Sequence, residues 1–496
     1  MPDLTAIDYI NVGKDGTFAH SGSSSTTPQQ VEEIFEHLKQ NDTEKLVIYF
    51  HGGLVSEKTG MEAATTMVTH FTKTSDKRHT VSFVWETGPK EIIMQNWQHI
   101  LDKTGSSFFQ DAMKFVIKIA AKKLGIKDGK GGDGGDYISD GTIEAEKYKQ
   151  FPFEELDKEM DGKGGPEAFS EGPYAEMEFL ADLEKESQLL ISNDASEAFK
   201  HTTTDDDPAL TKELEPTDDG TAKSGGWFTI AKLVAQVAFK VLKRYYHKTH
   251  HDFYPTVMEE TFRKLYIGSI GTWGWSRIKE KAENMFAGNT GLSGVNLRAG
   301  SYFLELLQQH YKERNAAGKK MEIHLIGHSA GSIVICVMLK EVMERYKDLR
   351  FENVFFLAPA CRTDLFIKNC LPAKDAGHFK KFKLFTMKTE NEKKDHCIPY
   401  VYTHSLLYMV SGLFETDAEG NGETDAKILG LNEQFKAEGR YANFEELKTV
   451  NRFLYSNYMV LSDDNLNEDL SLRSTALKHG DFDNDITTLT SMLNSI

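Results

Sequence analysis

Residues 323–331 read IHLIGHSAG, and this stretch decides the fold. Residues 323–326 have the apolar character of a buried β-strand, and the segment after residue 331 has the apolar spacing of a helix. Between them lies a G-x-S-x-G motif with Ser329 at its centre. Glycine on both sides permits a tight turn that lifts the serine hydroxyl above the strand end. The pattern predicts a nucleophilic serine, and the alternative is an ordinary N-cap serine in a plain strand-to-helix turn.

Strand and helix patterns alternate on both sides of this motif. The predicted strands are residues 46–50, 80–85, 322–326, 353–357, 382–387 and 458–461. The predicted helices of this part of the chain are residues 29–40, 57–72, 301–314, 332–346, 405–413 and a C-terminal helix. Repeated strand-helix steps predict an α/β fold with a mostly parallel central sheet flanked by helices. The first 20 residues break at Gly13 and Gly16, which predicts an opening hairpin.

The strand-helix rhythm is interrupted between residues 106 and 289. We therefore predict a core in two parts, residues 1–105 and 290–496, with a large, mainly helical insertion between them. Within it, the segment 128–226 carries essentially all of the formal net charge of −17. Its Gly-, Asp- and Glu-rich composition predicts that parts of it are disordered. Because no basic surplus remains to neutralise phosphates, the charge balance argues against nucleic acid as a partner.

Cysteine usage and hydropathy indicate the compartment. The four cysteines lie in or beside apolar runs without CxxC spacing, which predicts buried free thiols and neither a zinc site nor a disulfide framework. The N-terminal residues lack a basic stretch followed by an apolar one, and no run of about 18 apolar residues occurs. These features predict a cytoplasmic protein, with signal-independent export as the alternative.

The serine motif, in its strand-turn-helix context, resembles the nucleophile elbow of the α/β-hydrolase family, and in particular its lipase and esterase branch. The resemblance covers the two core segments and not the insertion. It implies an oxyanion hole formed by the backbone N–H of Ala330 and a second N–H from an early strand-to-helix loop. Residues 49–54, YFHGGL, resemble the HGG-type loop, so Gly53 or Leu54 would supply that donor. Leu54 replaces the third glycine of HGGG, and a Gly-Gly turn without function is the alternative.

The family's chain order of serine, acid and histidine implies a base near the end of the chain. After residue 387 the candidates are His396, His404 and His479. His396 shares a loop with the predicted acid, and His404 leads an amphipathic helix, where a core or capping role is more natural. His479 lies in a glycine-flanked loop between the last strand and the terminal helix, which predicts the base there. The alternative is a surface loop histidine.

The acid should follow the strand at 382–387. Asp395, in the segment DHCIP, resembles the acid loop of many family members and is the predicted partner of His479. Glu390 lies nearer the strand end, and Asp364 would serve if the acid followed the preceding strand. The other acidic residues here, such as Glu392, are interpreted as part of a solvated loop.

The insertion has amphipathic helices at residues 107–124 and 228–247, and further helical patterning over 257–286. Such helices could form a lid over an active site, hold an acyl chain or lie on a membrane surface, and packing on the core is the alternative. Residues 131–139 match one calcium-binding nonapeptide, but a single copy indicates a linker. His247 and His251, at i and i+4 with His250 and Asp252 adjacent, could hold zinc, but we interpret this pattern as a polar helix end.

The resemblance thus implies a serine hydrolase that cleaves a carboxylic ester, lipid or long-acyl, through a Ser-His-Asp triad, with no cofactor and no metal. An acyltransferase or thioesterase with the same triad is the first alternative. A catalytically inert hydrolase-fold binding module is the second. The sequence makes no prediction about the oligomeric state.

Overall fold

The computed structural model describes residues 4–20, 22–53, 55–72, 77–85, 107–126, 137–160, 166–196, 226–264, 270–415, 425–436, 439, 441–456, 458–462 and 469–496. The chain divides into two compact units. The first comprises Met1–Lys90, Trp273–Asp395 and Lys427–Ile496, and the second comprises Glu91–Thr272 and His396–Ala426. Only part of the acidic segment 128–226 lies within the described residues, so its predicted disorder stays a prediction.

The first unit is built on one parallel sheet of seven strands. They are β1 (Tyr9–Val12), β2 (Lys45–Phe50), β3 (Arg78–Trp85), β4 (Glu322–His328), β5 (Phe351–Leu357), β6 (Phe379–Met387) and β7 (Tyr458–Ser462). Their order across the sheet is β1-β3-β2-β4-β5-β6-β7, and every neighbouring pair is parallel. The central strands are nearly continuous apolar runs, since a parallel sheet is covered on both faces. The α/β prediction is confirmed.

Helices connect these strands. They are Pro28–Gln40, Glu57–Thr72, Ile270–Phe286, Ala299–Ala316, Gly331–Arg345, Thr363–Asp375, Thr389–Lys394, Glu445–Ser456 and Ile486–Leu493. The first begins with a capping box, in which Thr27 accepts from the backbone N–H of Gln30 and the Gln30 side chain accepts from that of Thr27. Helix Gly331–Arg345 is buried over most of its length and directly follows the serine motif.

The prediction of an N-terminal hairpin is wrong. Strand β1 pairs in parallel with β3, with Tyr9 opposite Ser82. Gly13 and Gly16 flank the 3₁₀ turn Lys14–Gly16, and among the described residues no antiparallel strand after this turn pairs with β1. Alternating apolar residues occur both in hairpins and in edge strands of parallel sheets, so the pattern alone could not distinguish them.

The strand order creates a crevice beside β2. The chain leaves β2 for β3 on one side, and β4 later pairs on the other side of β2. The loops that follow β2 and β4 therefore diverge at the carboxyl edge, which is where open parallel sheets bind ligands. Phe50 lies opposite Gly327 in the register of β2 and β4. The residues that follow these two positions are consequently brought side by side.

The second unit is helical. Its helices are Ser107–Lys123, Asp140–Lys147, Glu154–Met160, Pro173–Asp194, Gly226–His247, Phe253–Phe262 and Leu406–Met409, the last continuing as a π-helical turn over Val410–Phe414. A buried ion network lies inside it, where Arg244 donates to Glu259 and Glu260. Among the described helices, none combines the length and apolar character needed to span a bilayer.

Candidate active site

Ser329 occupies a strained turn between β4 and helix Gly331–Arg345. Its φ is 51°, a left-handed conformation that is rare for residues other than glycine. The backbone of the neighbouring strand holds the turn, because the Ser329 N–H donates to the Leu357 carbonyl at 2.8 Å and the Ala360 N–H donates to the Ser329 carbonyl at 3.1 Å. The hydroxyl of Ser332 also donates to that carbonyl, at 2.6 Å. This is the geometry of a nucleophile elbow.

The glycines of the motif are required by close backbone packing. A Cβ on Gly331 would lie 2.9 Å from the carbonyl carbon of Phe50, at the end of β2, and nearer still to its oxygen. A Cβ on Gly327 would lie 2.8 Å from the carbonyl carbon of Gly331. Glycine at 331 lets the elbow fit against the end of β2, and glycine at 327 leaves room for the backbone of Gly331.

We expect Gly331→Ala to destabilise the protein by about 3 kcal/mol, because the methyl group meets rigid backbone rather than a movable side chain. Urea unfolding followed by tryptophan fluorescence measures the change. Gly288→Ala is the matched control, since its Cβ would have only an ordinary contact, 3.8 Å from Arg345 Nη1. Equal unfolding midpoints for the two variants would contradict the packing argument.

His479 lies beside the serine. Its Nε2 is 2.9 Å from Ser329 Oγ, and the ring is buried. The residue begins the 3₁₀ turn His479–Asp481, between β7 and the terminal helix. Burial lowers the pKa of His479 to about 3, and the nearby His328 acts in the same direction. The imidazole is therefore neutral at physiological pH and can accept the proton of the serine hydroxyl.

Asp395 reaches the main chain of His479 rather than its ring. Its Oδ2 accepts from the His479 backbone N–H at 2.7 Å. Within the described residues, the buried Nδ1 of His479 has no hydrogen-bond partner. The sequence prediction placed this carboxylate on the ring N–H. The difference has a physical reason, since the first N–H groups of a helical turn lack partners within the turn and attract a nearby carboxylate.

A second histidine-aspartate pair lies next to His479, and sequence reasoning missed it. Nδ1 of His328 donates to Asp483 Oδ2 at 3.0 Å, and Nε2 of His328 donates to the carbonyl oxygen of His479 at 2.9 Å. The Tyr49 hydroxyl also donates to Asp483, at 2.7 Å. Both ring nitrogens of His328 face acceptors, so the ring is an imidazolium.

The electrostatics agree with this assignment. Burial alone would lower the pKa of His328, but the charge of Asp483 and the hydrogen bonds to Asp483 and His479 raise it. For Asp483 the effects are reversed. Burial alone would raise the pKa of its carboxyl group, but the positive charge of His328 lowers it, and so do the hydrogen bonds donated by His328 and Tyr49. The pair is thus a buried ion pair that holds the His479 carbonyl. His328 stands inside the serine motif, but no sequence signal marks Asp483.

Comparison with known families gives a match over the part of the chain that contains the elbow. Residues 305–394 match the model of a family described as an alpha/beta hydrolase of unknown function (DUF900). The core has the α/β-hydrolase fold. The match includes the serine motif and ends one residue before Asp395. No curated protein and no solved structure matches the chain.

The loop after β2 of this α/β-hydrolase core packs directly on the elbow. A Cβ on Gly52 would lie 3.2 Å from Ser329 Cβ, and one on Gly53 would lie 3.0 Å from Ala330 Cβ. His51 fixes the loop, because its Nδ1 donates to the Gly52 carbonyl at 2.6 Å and its Nε2 accepts from the Trp85 N–H at 3.0 Å. Burial lowers the pKa of His51 to about 4, so the ring is neutral. Leu54, the other predicted donor, lies outside the described residues.

The other predicted site residues of the hydrolase core have different surroundings. Asp364 is paired with Arg362 at 2.9 Å and also accepts from the Leu365 N–H. Glu390 lies in the first turn of the short helix Thr389–Lys394. The interpretation of Glu392 as part of a solvated loop is wrong, because this side chain is buried on the inner face of that helix.

The two remaining candidate histidines have partners in the second unit. His396 Nε2 is 2.9 Å from the Gln150 carbonyl. His404 is buried, with Nδ1 2.6 Å from the Thr403 carbonyl. Of the three histidines considered as the base, His479 is the one that contacts Ser329.

Proposed function

We propose that the protein is a serine hydrolase that cleaves a carboxylic ester through an acyl-enzyme. Ser329 is the nucleophile and His479 is the general base. The observation that carries the proposal is the 2.9 Å contact between Ser329 Oγ and His479 Nε2, made by a serine in a left-handed elbow turn. A nucleophile within hydrogen-bond distance of a neutral imidazole is what acyl transfer requires.

The chemistry follows from these atoms. His479 takes the hydroxyl proton of Ser329 as Oγ attacks the ester carbonyl, and a tetrahedral oxyanion forms. The backbone N–H of Ala330 and that of Gly53 or Leu54 would stabilise this oxyanion. The imidazolium then protonates the leaving alcohol, and the acyl group stays on Ser329. Water, deprotonated by His479, releases the carboxylic acid and restores the serine.

We assign the acid of the triad to Asp395. Its carboxylate lies on the backbone N–H of His479 and thereby fixes the loop that carries the base. The carboxylate whose charge raises the pKa of the His479 ring is that of Asp483, so the role proposed for Asp395 is to hold the base in position. The ion pair of His328 and Asp483 holds the same residue by its carbonyl, so the base is fixed from both sides of its main chain.

Asp395→Asn is expected to lower kcat by about 10³- to 10⁴-fold with little loss of stability, because it removes the carboxylate proposed as the acid of the triad. Asp483→Asn is expected to act mainly on stability, by about 3–5 kcal/mol, because it leaves the His328 charge buried without its counter-ion. Ester hydrolysis and urea unfolding, measured on both variants, separate the two roles.

Asp364→Asn serves as the control, with an expected loss of kcat below about threefold, since this carboxylate is paired with Arg362. If Asp483→Asn lowers kcat more than Asp395→Asn at a temperature where both variants are folded, then Asp483 is the acid and the assignment made here is wrong.

The substrate class is proposed to be a lipid or long-acyl ester, with the helices of the insertion, residues 106–289, acting as a lid. The support is the apolar character of helices Ser107–Lys123 and Gly226–His247. Their apolar side chains, among them Phe109, Val116 and Val237, are buried where these helices pack within the unit. These faces are therefore not exposed for contact with a membrane surface. A series of p-nitrophenyl esters of graded chain length tests the proposed preference.

The competing activities give different results in simple assays. A fluorophosphonate probe should label the wild-type chain at Ser329, and an absence of labelling would support an inert binding module. An alcohol or thiol acceptor that diverts the acyl group in preference to water would support an acyltransferase.

A further inference from the structure

Two carboxylates and an imidazole converge in the second unit, and a second imidazole adjoins one of the carboxylates. We call Asp157, His250, Asp252 and His404 the Asp-His cluster. One ligand atom from each of Asp157, His250 and Asp252 lies within 4.8 Å of the others. Nε2 of His404 lies 3.2 Å from Asp252 Oδ2. The four residues come from three separate segments, and the proposed hydrolysis uses none of them.

We propose that the Asp-His cluster binds a divalent transition-metal ion, with Zn²⁺ as the best match. Carboxylate oxygens and imidazole nitrogens are common zinc ligands, and Asp157, His250 and Asp252 supply three of them, with His404 adjoining Asp252. Imidazole favours transition metals, whereas Mg²⁺ and Ca²⁺ prefer oxygen ligands alone. Two carboxylates also supply the negative charge that a divalent cation neutralises.

The orientation of His404 is the strongest support. The ring is buried, and its Nδ1 lies 2.6 Å from the Thr403 carbonyl, which can only accept. The ring proton therefore sits on Nδ1, and the lone pair of Nε2 points toward Asp252 Oδ2. If the His404 ring is neutral, its Nε2 and the Asp252 Oδ2 are both hydrogen-bond acceptors and repel each other. A cation bound by both atoms removes this repulsion. Histidine ligands of metals are commonly fixed by such an Nδ1–H to carbonyl bond.

Asp157 and His250 are also held by outer partners. The Asp157 Oδ1 accepts from the Tyr245 hydroxyl at 2.7 Å and from the Phe253 N–H at 2.9 Å. The ring of His250 stacks on that of Tyr245, with centroids 3.9 Å apart. Contacts of this kind orient ligands before a metal binds and reduce the entropic cost of binding.

Asp252 adopts a conformation that a simple helix cap would not need. It precedes helix Phe253–Phe262 and has a φ of 63°, yet its side chain makes no capping bond to that helix. Aspartate is among the best N-cap residues, so its carboxylate would ordinarily satisfy the helix N–H groups. Asp157 accepts from the N–H of Phe253 instead, and the Asp252 carboxylate is directed toward His404.

The proposed site differs from the i, i+4 pair of His247 and His251 in the sequence. His247 is exposed, whereas His251 is buried and its Nδ1 lies 2.8 Å from Glu259 Oε1. His251 thus belongs to the ion network of Arg244, and the two rings do not face a common site. His250 and Asp252 lie in the sequence pattern noted around His247 and His251, whereas Asp157 and His404 are remote from it, so the spacing could not have indicated them.

Metal binding is tested on the full-length chain, freed of metal with EDTA and dialysed. Zn²⁺ is titrated in competition with a chromophoric chelator, and one ion per chain is expected. Asp252→Asn and His404→Gln should each weaken binding by at least about 100-fold, since loss of an outer-shell partner alone costs 10- to 100-fold. His247→Gln, an exposed histidine nearby, should bind as the wild type does. Millimolar Mg²⁺ should not displace Zn²⁺.

Co²⁺ gives a readout that requires no variant. The wild-type chain should develop the visible absorption bands of four-coordinate Co²⁺, and Zn²⁺ should abolish them. Circular dichroism verifies that each variant is folded. A wild-type chain that shows no Co²⁺ bands, or binds Zn²⁺ no more tightly than folded Asp252→Asn, would overturn the proposal. In that case a proton on His404 would account for its contact with Asp252.

Discussion

Ser329→Ala is expected to lower kcat/KM for a p-nitrophenyl ester by about 10⁶-fold, the loss that follows removal of the nucleophile from a serine hydrolase triad. The hydroxyl is the atom that attacks, and no neighbouring group described here can replace it at 2.9 Å from His479 Nε2. Residual hydrolysis above the rate in water would come from the oxyanion donors alone. The same substitution should abolish labelling by a fluorophosphonate.

Ser293→Ala is the matched control, because this serine is exposed and belongs to the same unit. It should keep both full activity and full labelling. If Ser329→Ala retained ester hydrolysis at the wild-type rate, another nucleophile would be responsible and the proposed mechanism would be wrong.

The second large effect concerns the base. His479→Gln should lower kcat by about 10⁵- to 10⁶-fold, because the serine hydroxyl is a poor nucleophile until its proton is removed. Glutamine keeps a polar side chain of similar length but cannot accept the proton. His20→Gln, a change at an exposed histidine, should leave kcat unaltered.

The pH profile of the wild type gives an independent test of the same residue. The base must be neutral, and burial lowers its pKa to about 3, so the neutral form persists as the pH falls well below the usual histidine value. The acid limb of kcat/KM should therefore lie well below pH 6.5, with most activity retained at pH 5. A limb centred near 6.5 would mean that His479 titrates like an exposed histidine.

The sequence predicted those parts of the site whose geometry is determined by residues close together in the chain. The elbow around Ser329 needs only an apolar strand, two flanking glycines and an amphipathic helix, and all of these lie within one short stretch. His479 was identified from the family's chain order and its glycine-flanked loop. The contact between them depends on β7 and the terminal helix being placed correctly by the parallel sheet.

The parts that the sequence could not predict depend on packing between distant residues. Asp483 meets His328 only because Tyr49 on β2 and the turn after His479 are adjacent in the folded sheet. Whether Asp395 bonds to a ring nitrogen or to a backbone N–H is decided by the geometry of that turn, which no motif encodes. The prediction of an N-terminal hairpin was wrong for a related reason, since β1 pairs with β3, a strand about 70 residues later in the chain, and local sequence does not indicate this partner.

The pairing of β2 with β4 also bears on how such a chain can change its size. The residues between Trp85, the last of β3, and Glu322, the first of β4, form a single excursion whose two ends lie on either side of β2. The entropic cost of closing a flexible loop grows only with the logarithm of its length, by about 0.6 kcal/mol for each doubling. An excursion twice as long or half as long would thus alter the stability of the sheet very little. Modules of widely different length can be accommodated after β3 while Phe50 and Gly327 keep their register.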